Sequence, residues 1–123
     1  MTYQKHPQIH ILLAGDDEVL LSILAQIFDK EGYATRIAPD EESIRSSISA
    51  EPPDIFIFDI TRTPNRAIRT MENIGKEMYR RTIILASYPD IAHLKNLLAN
   101  MPCTFIAKPF AMTELLNQVR EKK

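Results

Sequence analysis

The chain has 123 residues, a formal net charge of -1, 25% charged and 45% hydrophobic residues, enough for one globular domain and too little for two. Lys and Arg are scattered and form no stripe interleaved with aromatics, which argues against direct nucleic-acid binding; no apolar stretch approaches the roughly 20 residues that span a bilayer. A single cysteine, Cys103, excludes an internal disulfide, and the expected setting is cytoplasmic.

Met1 to His6 lacks the apolar segment of a signal peptide. Ile9–Ala14 is an apolar run with strand character, and Gly15-Asp16-Asp17 follows it. Val19–Lys30 then predicts a helix, with Leu20, Ile23, Leu24, Ile27 and Phe28 on one stripe and Gly32 placed to end it. Tyr33–Ile37 is a weaker strand. Asp40 is placed to cap a helix over 41–49, which Pro52-Pro53 stop. Ile55–Phe58 is continuously apolar and closes on Asp59. The spacing predicts a helix over 66–77 with Ile68, Met71 and Ile74 or Gly75 inward, and Thr82–Ala86 as the next strand. Asp90 is placed to cap 91–99, where Ile91, Leu94, Leu97 and Leu98 are apolar. Cys103 reads as a core or near-core residue ahead of a short strand, Thr104–Ala107, which leads into Lys108-Pro109. Thr113 opens a last helix over 114–121 with Leu115, Leu116 and Val119 inward, and Glu121-Lys122-Lys123 is a solvated tail. His6, His10 and His93 have no metal-ligand spacing.

Strand and helix alternate five times with short connections, and the middle strands are apolar on both faces. That pattern predicts an α/β fold, a doubly wound (βα)5 three-layer sandwich around a parallel sheet. In such sheets ligands bind beyond the carboxyl ends of the strands, which directs attention to 15–17, 59–61, 86–88 and 108–109. Asp16, Asp17 and Asp59 would there bring about three negative charges together, costly without a cation, and a hard divalent ion such as Mg²⁺ with the Lys108 ammonium would cancel them. Asp17 taken alone suits a helix N-cap equally well.

These residues resemble the receiver domain family of response regulators, the CheY-like proteins, over nearly the whole chain. Gly15-Asp16-Asp17-Glu18 is similar to the acidic pair after the family's first strand, Pro53–Asp59 to the segment ending in its phosphoacceptor, and Ala107-Lys108-Pro109-Phe110 to its lysine-proline-phenylalanine motif. The resemblance implies a single receiver domain over 1–123, with a flavodoxin-like sheet of order 2-1-3-4-5. It implies Asp59 as the nucleophile toward a phosphohistidine on a sensor histidine kinase or phosphotransfer protein. Asp16, Asp17, Asp59 and the backbone carbonyl of Thr61 would be the Mg²⁺ ligands, Lys108 would pair with a phosphoryl oxygen, and the bond before Pro109 would be cis. Such a domain is no metabolic enzyme; it catalyses only its own phosphotransfer and dephosphorylation, and it signals to an output protein or domain.

The chain departs from the family in two places. The family ends its fourth strand with Thr or Ser, whose hydroxyl bonds the phosphoryl group; here Ala86 stands there and Ser87 one position later, on the alternate face or in the loop. After Asp59 the proline comes five residues on, at Pro64, and Asn65-Arg66-Ala67 replaces an acidic-glycine turn. Phe105 matches the family's switching aromatic and equally suits core packing, and Tyr88 is placed to shield the site from water. An alternative reading is therefore a pseudo-receiver, an interaction module with weak or no phosphorylation-dependent switching. A flavin or nucleotide site ranks far below, because Asp16, Asp17 and Glu18 would repel its phosphate. The apolar residues of 91–99 suit either a homodimer face or the core.

Overall fold

The computed structural model describes residues 8–61 and 64–122. The amino-terminal segment with His6, residues 62 and 63 of the loop after Asp59, and Lys123 of the tail lie outside the described residues. In chain order the elements are β1 (His10–Gly15), α1 (Glu18–Lys30), β2 (Ala34–Ala38), α2 (Glu41–Ala50), β3 (Ile55–Asp59) and α3 (Pro64–Asn73). A 3₁₀ helix (Lys76–Arg81), β4 (Thr82–Ser87), α4 (Tyr88–Leu97), β5 (Thr104–Lys108) and α5 (Met112–Lys122) complete them. The strands pair in parallel in the order β2-β1-β3-β4-β5, the doubly wound sheet expected from the alternation.

Alternation along the strands divides the core in two. Ile11, Leu13, Ile55, Ile57, Ile83, Leu85 and Ile106 meet Leu21, Leu24 and Phe28 of α1 and Leu115 and Val119 of α5. Leu12, Ala14, Phe56, Phe58, Ile84 and Ala86 point the other way, onto α2, α3 and α4. Phe56 and Phe58 stack there with ring centroids 5.3 Å apart. Each fully buried side chain of this size contributes about 1.5–3 kcal/mol, so the double layer is the main source of stability.

Helix ends follow the chemistry of their caps. At the end of α1, the Gly32 N–H donates to Asp29 (3.1 Å) and the Tyr33 N–H to Phe28 (3.0 Å), with Gly32 at φ 96°. This paired closure carries its usual apolar contact, Tyr33 edge-on to Phe28 at 5.8 Å. Asp40 accepts the Ser43 N–H at 2.8 Å, which holds its carboxyl below the ordinary range and starts α2.

Three sequence expectations are corrected. The stripe on α1 is carried by Leu21, Leu24 and Phe28; Leu20 and Ile27 are half-buried, while Val19 and Ile23 are exposed. The helix has more apolar positions than one face can bury against the sheet. The helix expected over 66–77 ends at Asn73, because Gly75 adopts φ 96° and the chain continues as the 3₁₀ helix. The next helix begins at Tyr88 rather than after Asp90: Ser87, the last residue of β4 and not a loop residue, caps it by accepting the Asp90 N–H at 3.4 Å. Asp90 thus sits in the first turn of α4; of the apolar residues expected there, Ile91, Leu94 and Leu98 are buried and Leu97 is exposed. Ser87→Ala is expected to cost about 1 kcal/mol in urea denaturation, the ordinary worth of an N-cap. No measurable change would show the hydroxyl to be idle.

Candidate functional site

The carboxyl ends of β1, β3, β4 and β5 form one edge. Asp59 continues the parity of Ile55 and Ile57, and Lys108 that of Ile106, so both side chains leave the sheet on the α1 and α5 side. They meet there. Lys108 Nζ donates to Asp59 Oδ1 at 2.5 Å, and the carboxylate is 0% exposed against 22% for the lysine. Thr61 joins both: its hydroxyl donates to Asp59 Oδ2 and accepts from Lys108 Nζ, each at 3.1 Å. The Thr61 backbone N–H donates to Asp16 Oδ2 at 3.3 Å, which ties the end of β1 to the loop after β3. The Lys108–Pro109 peptide bond is cis.

Gly15 is what lets the two strand ends come this close. It pairs in register with Asp59, has φ 150°, and a Cβ on it would lie 2.3 Å from the Asp59 carbonyl oxygen. Asp16 and Asp59 then line one cavity of about 40 Å³, with Asp40, Glu41 and Arg66 at its rim. Asp17 does something else: its carboxylate accepts the Leu20 N–H at 3.1 Å and caps α1, and it borders a separate groove. The three acids that the sequence brings to one edge are therefore divided between two tasks. Among the described residues, no three carboxylate, imidazole or thiol groups stand close enough to share an ion. The donor chemistry nevertheless suits a hard cation: the Asp16 and Asp59 carboxylates share one small cavity with Asp40 and Glu41, and these acids outnumber the two cations nearby, Lys108 and Arg66.

Residues 11–120 match the response regulator receiver domain family. The chain belongs to that family. Sporulation initiation phosphotransferase F of Bacillus subtilis is 25% identical over 115 residues, covering 90% of this chain and 90% of that protein. The transcriptional regulatory protein CseB of Streptomyces coelicolor is 25% identical over 113 residues, covering 92% of this chain; the chain spans only 48% of that protein. In fold, the chain is similar to a response regulator receiver protein from Pseudomonas putida, with a TM-score of 0.79 at 17% identity, covering 95% of this chain and 99% of that one. Receiver domains are the phosphoaccepting element of two-component signalling, and this chain is one of them.

In this receiver the positions expected to switch are unevenly equipped. Ala86 is fully buried in the core beneath α2, α3 and α4, pairs with Ala107 and carries no hydroxyl. The Ser87 hydroxyl oxygen accepts the Asp90 N–H at the start of α4. Phe105 is half-buried against that same core, with Lys95 Nζ 5.9 Å from its ring centroid. Tyr88 is 77% exposed, and a ring so open to water is not packed over Asp59, contrary to the shielding role expected of it. Two features escaped the sequence reading. Thr61 was singled out for its carbonyl, and its hydroxyl, which meets Asp59 and Lys108, went unread; Gly15 was read only as part of an acidic motif, whereas its missing Cβ admits Asp59.

Cys103, His10 and His93 stand apart from the site. Burial pushes the Cys103 thiol up to about 11, and Lys122 nearby has its ammonium lowered by burial while donating to the Arg80 carbonyl at 2.6 Å. Near neutral pH, Cys103 is expected to react with a thiol reagent roughly a hundredfold more slowly than an unperturbed cysteine, because so little thiolate is present. Its folded-state value lies above its unfolded value, so stability should fall as pH rises from about 9 toward 11. Modification at the rate of a free thiol would contradict the burial.

Proposed function

We propose that Asp59 accepts a phosphoryl group from a phosphohistidine on a sensor histidine kinase or phosphotransfer protein. The observation that carries this reading is the buried Asp59 carboxylate, held at the sheet edge by Lys108 at 2.5 Å. One carboxylate oxygen forms the new O–P bond; the P–N bond breaks, and its electron pair stays on the imidazole nitrogen. Lys108 neutralises charge on the transferring group, and the rigid edge fixes the line of approach; positioning and charge account for most of phosphoryl-transfer catalysis. Asp16 and Asp59, with the Thr61 carbonyl, are the residues that would hold Mg²⁺; Asp17 would join them by giving up its cap. Bound there, Mg²⁺ would supply the positive charge that offsets three acids and an incoming anion.

The donor must reach Asp59 from outside, and an apolar groove of about 560 Å³ runs beside Lys108 between α1 and Pro109-Phe110-Met112. Its exposed Ile23 and half-buried Leu20 suit a protein donor better than a small one. The same reading takes residues 1–123 as one receiver domain in the cytoplasm, with output passed to another domain or protein. Incubation with a small phosphodonor, followed by intact-mass measurement, tests it. One phosphoryl adduct is expected with Mg²⁺ and none with a chelator. No adduct under conditions that label a control receiver would overturn the reading.

A second reading keeps the fold but signals without phosphate. Ala86 favours it, since a methyl group buried in the core makes no hydrogen bond to a phosphoryl oxygen. A partner that binds equally well with and without a beryllofluoride phosphate mimic would support it.

A further inference from the structure

We propose that the Thr61 hydroxyl takes over the work of the hydroxyl absent at Ala86: it binds the phosphoryl group on Asp59 and carries the signal into the connection between β3 and α3. The inference rests on Asp59 being the acceptor. Three observations converge on it. Ala86 has nothing to donate and lies fully buried on the opposite side of the sheet from Asp59. Ser87, the neighbouring hydroxyl on β4, turns its oxygen to the Asp90 N–H at the start of α4, which it accepts at 3.4 Å. Among the described residues, Thr61 alone places a hydroxyl within 3.1 Å of both Asp59 Oδ2 and Lys108 Nζ.

A hydroxyl has one proton to give and two lone pairs to offer. In the resting site the Thr61 proton goes to Asp59 Oδ2, and one lone pair receives Lys108. Formation of the acyl phosphate removes the negative charge from the Asp59 carboxylate and puts a stronger one on the phosphoryl oxygens beside it. Rotation about one side-chain bond turns the proton to those oxygens while Lys108 is retained. Because the Thr61 backbone N–H also holds Asp16, and α3 begins three residues further along the chain, a shift of Thr61 would act on β1 and α3 first. In a receiver with a hydroxyl at the end of its fourth strand, the pull would instead fall on the β4–α4 connection. A differential contact of this kind is what lets a ligand bias one conformation over another.

Thr61 is exposed, so removing its hydroxyl should leave the fold intact. The test titrates beryllofluoride with Mg²⁺ into wild type, Thr61→Val, Thr61→Ser and Asp59→Asn, following amide chemical shifts. Thr61→Val should bind the mimic roughly ten- to a hundredfold more weakly, as for a lost hydrogen bond to a charged group, and lose the shift changes in α3. Thr61→Ser should keep both. Wild-type affinity and shifts in Thr61→Val would overturn the inference. Equal losses in Val and Ser would also overturn it, since they would trace the effect to the methyl group. Failure of wild type to bind at all, or binding that survives in Asp59→Asn, would instead overturn the acceptor reading on which it stands.

Discussion

Asp59→Asn is expected to take no phosphoryl group from a small phosphodonor, with labelling lowered by about a thousandfold or more and so below detection. An amide of the same shape offers no carboxylate oxygen for the O–P bond, and its neutral oxygen cannot anchor Lys108 as the charge does at 2.5 Å. The fold should survive. Lys108 is 22% exposed and can turn its ammonium to water, so the substitution strands no buried charge. The check is intact mass alongside urea denaturation. An adduct of undiminished yield on a folded Asp59→Asn protein would move the acceptor elsewhere.

Gly15→Ala should be the most damaging single-methyl change at this edge. Its Cβ would stand 2.3 Å from the Asp59 carbonyl oxygen and 2.6 Å from the Asp59 Cβ, on a backbone at φ 150°. The conformation alone costs about 1–3 kcal/mol for a non-glycine residue, and forcing atoms into a packed strand pair costs about 1–3 kcal/mol more. A loss of about 2–6 kcal/mol is therefore expected in urea denaturation, a large share of a domain's usual stability of about 5–15 kcal/mol. Gly32→Ala separates the two causes: φ is 96° there, but nothing lies within 4 Å of the added carbon. It should lose only the conformational part. Equal losses at both positions would mean that the approach to Asp59 is not what makes Gly15 necessary.

Much of the architecture was legible because every strand but β2 is a short apolar run and each connection is long enough for one helix. Asp59 and Lys108 could be placed at the same edge from strand ends alone, and their pairing follows from shared parity. What failed was what depends on three-dimensional competition. The sequence cannot say which of seven large apolar side chains on α1 will win the sheet, so Ile23 was expected inside and lies outside. Nor can it say whether Asp17 turns to the helix or to the other acids, because both suit a carboxylate; the Leu20 N–H wins. Ser87 and Asp90 compete for the start of α4 in the same way, and three residues of helix length hang on the outcome. The hydroxyl of Thr61 was hidden because its value comes from Lys108, 47 residues away.

The central strand has a property that reaches beyond its packing. Residues 55–58 are buried on both sides, so greasiness by itself does not tell this segment which way to face. A shift by one residue would still satisfy the oil, but it would bring Phe58 to the spot where Lys108 waits and turn a carboxylate toward the layer beneath α2, α3 and α4. The alignment of the middle strand is thus policed by electrostatics at its tip. A chain that folded one step out of phase would look well packed and yet be chemically mute.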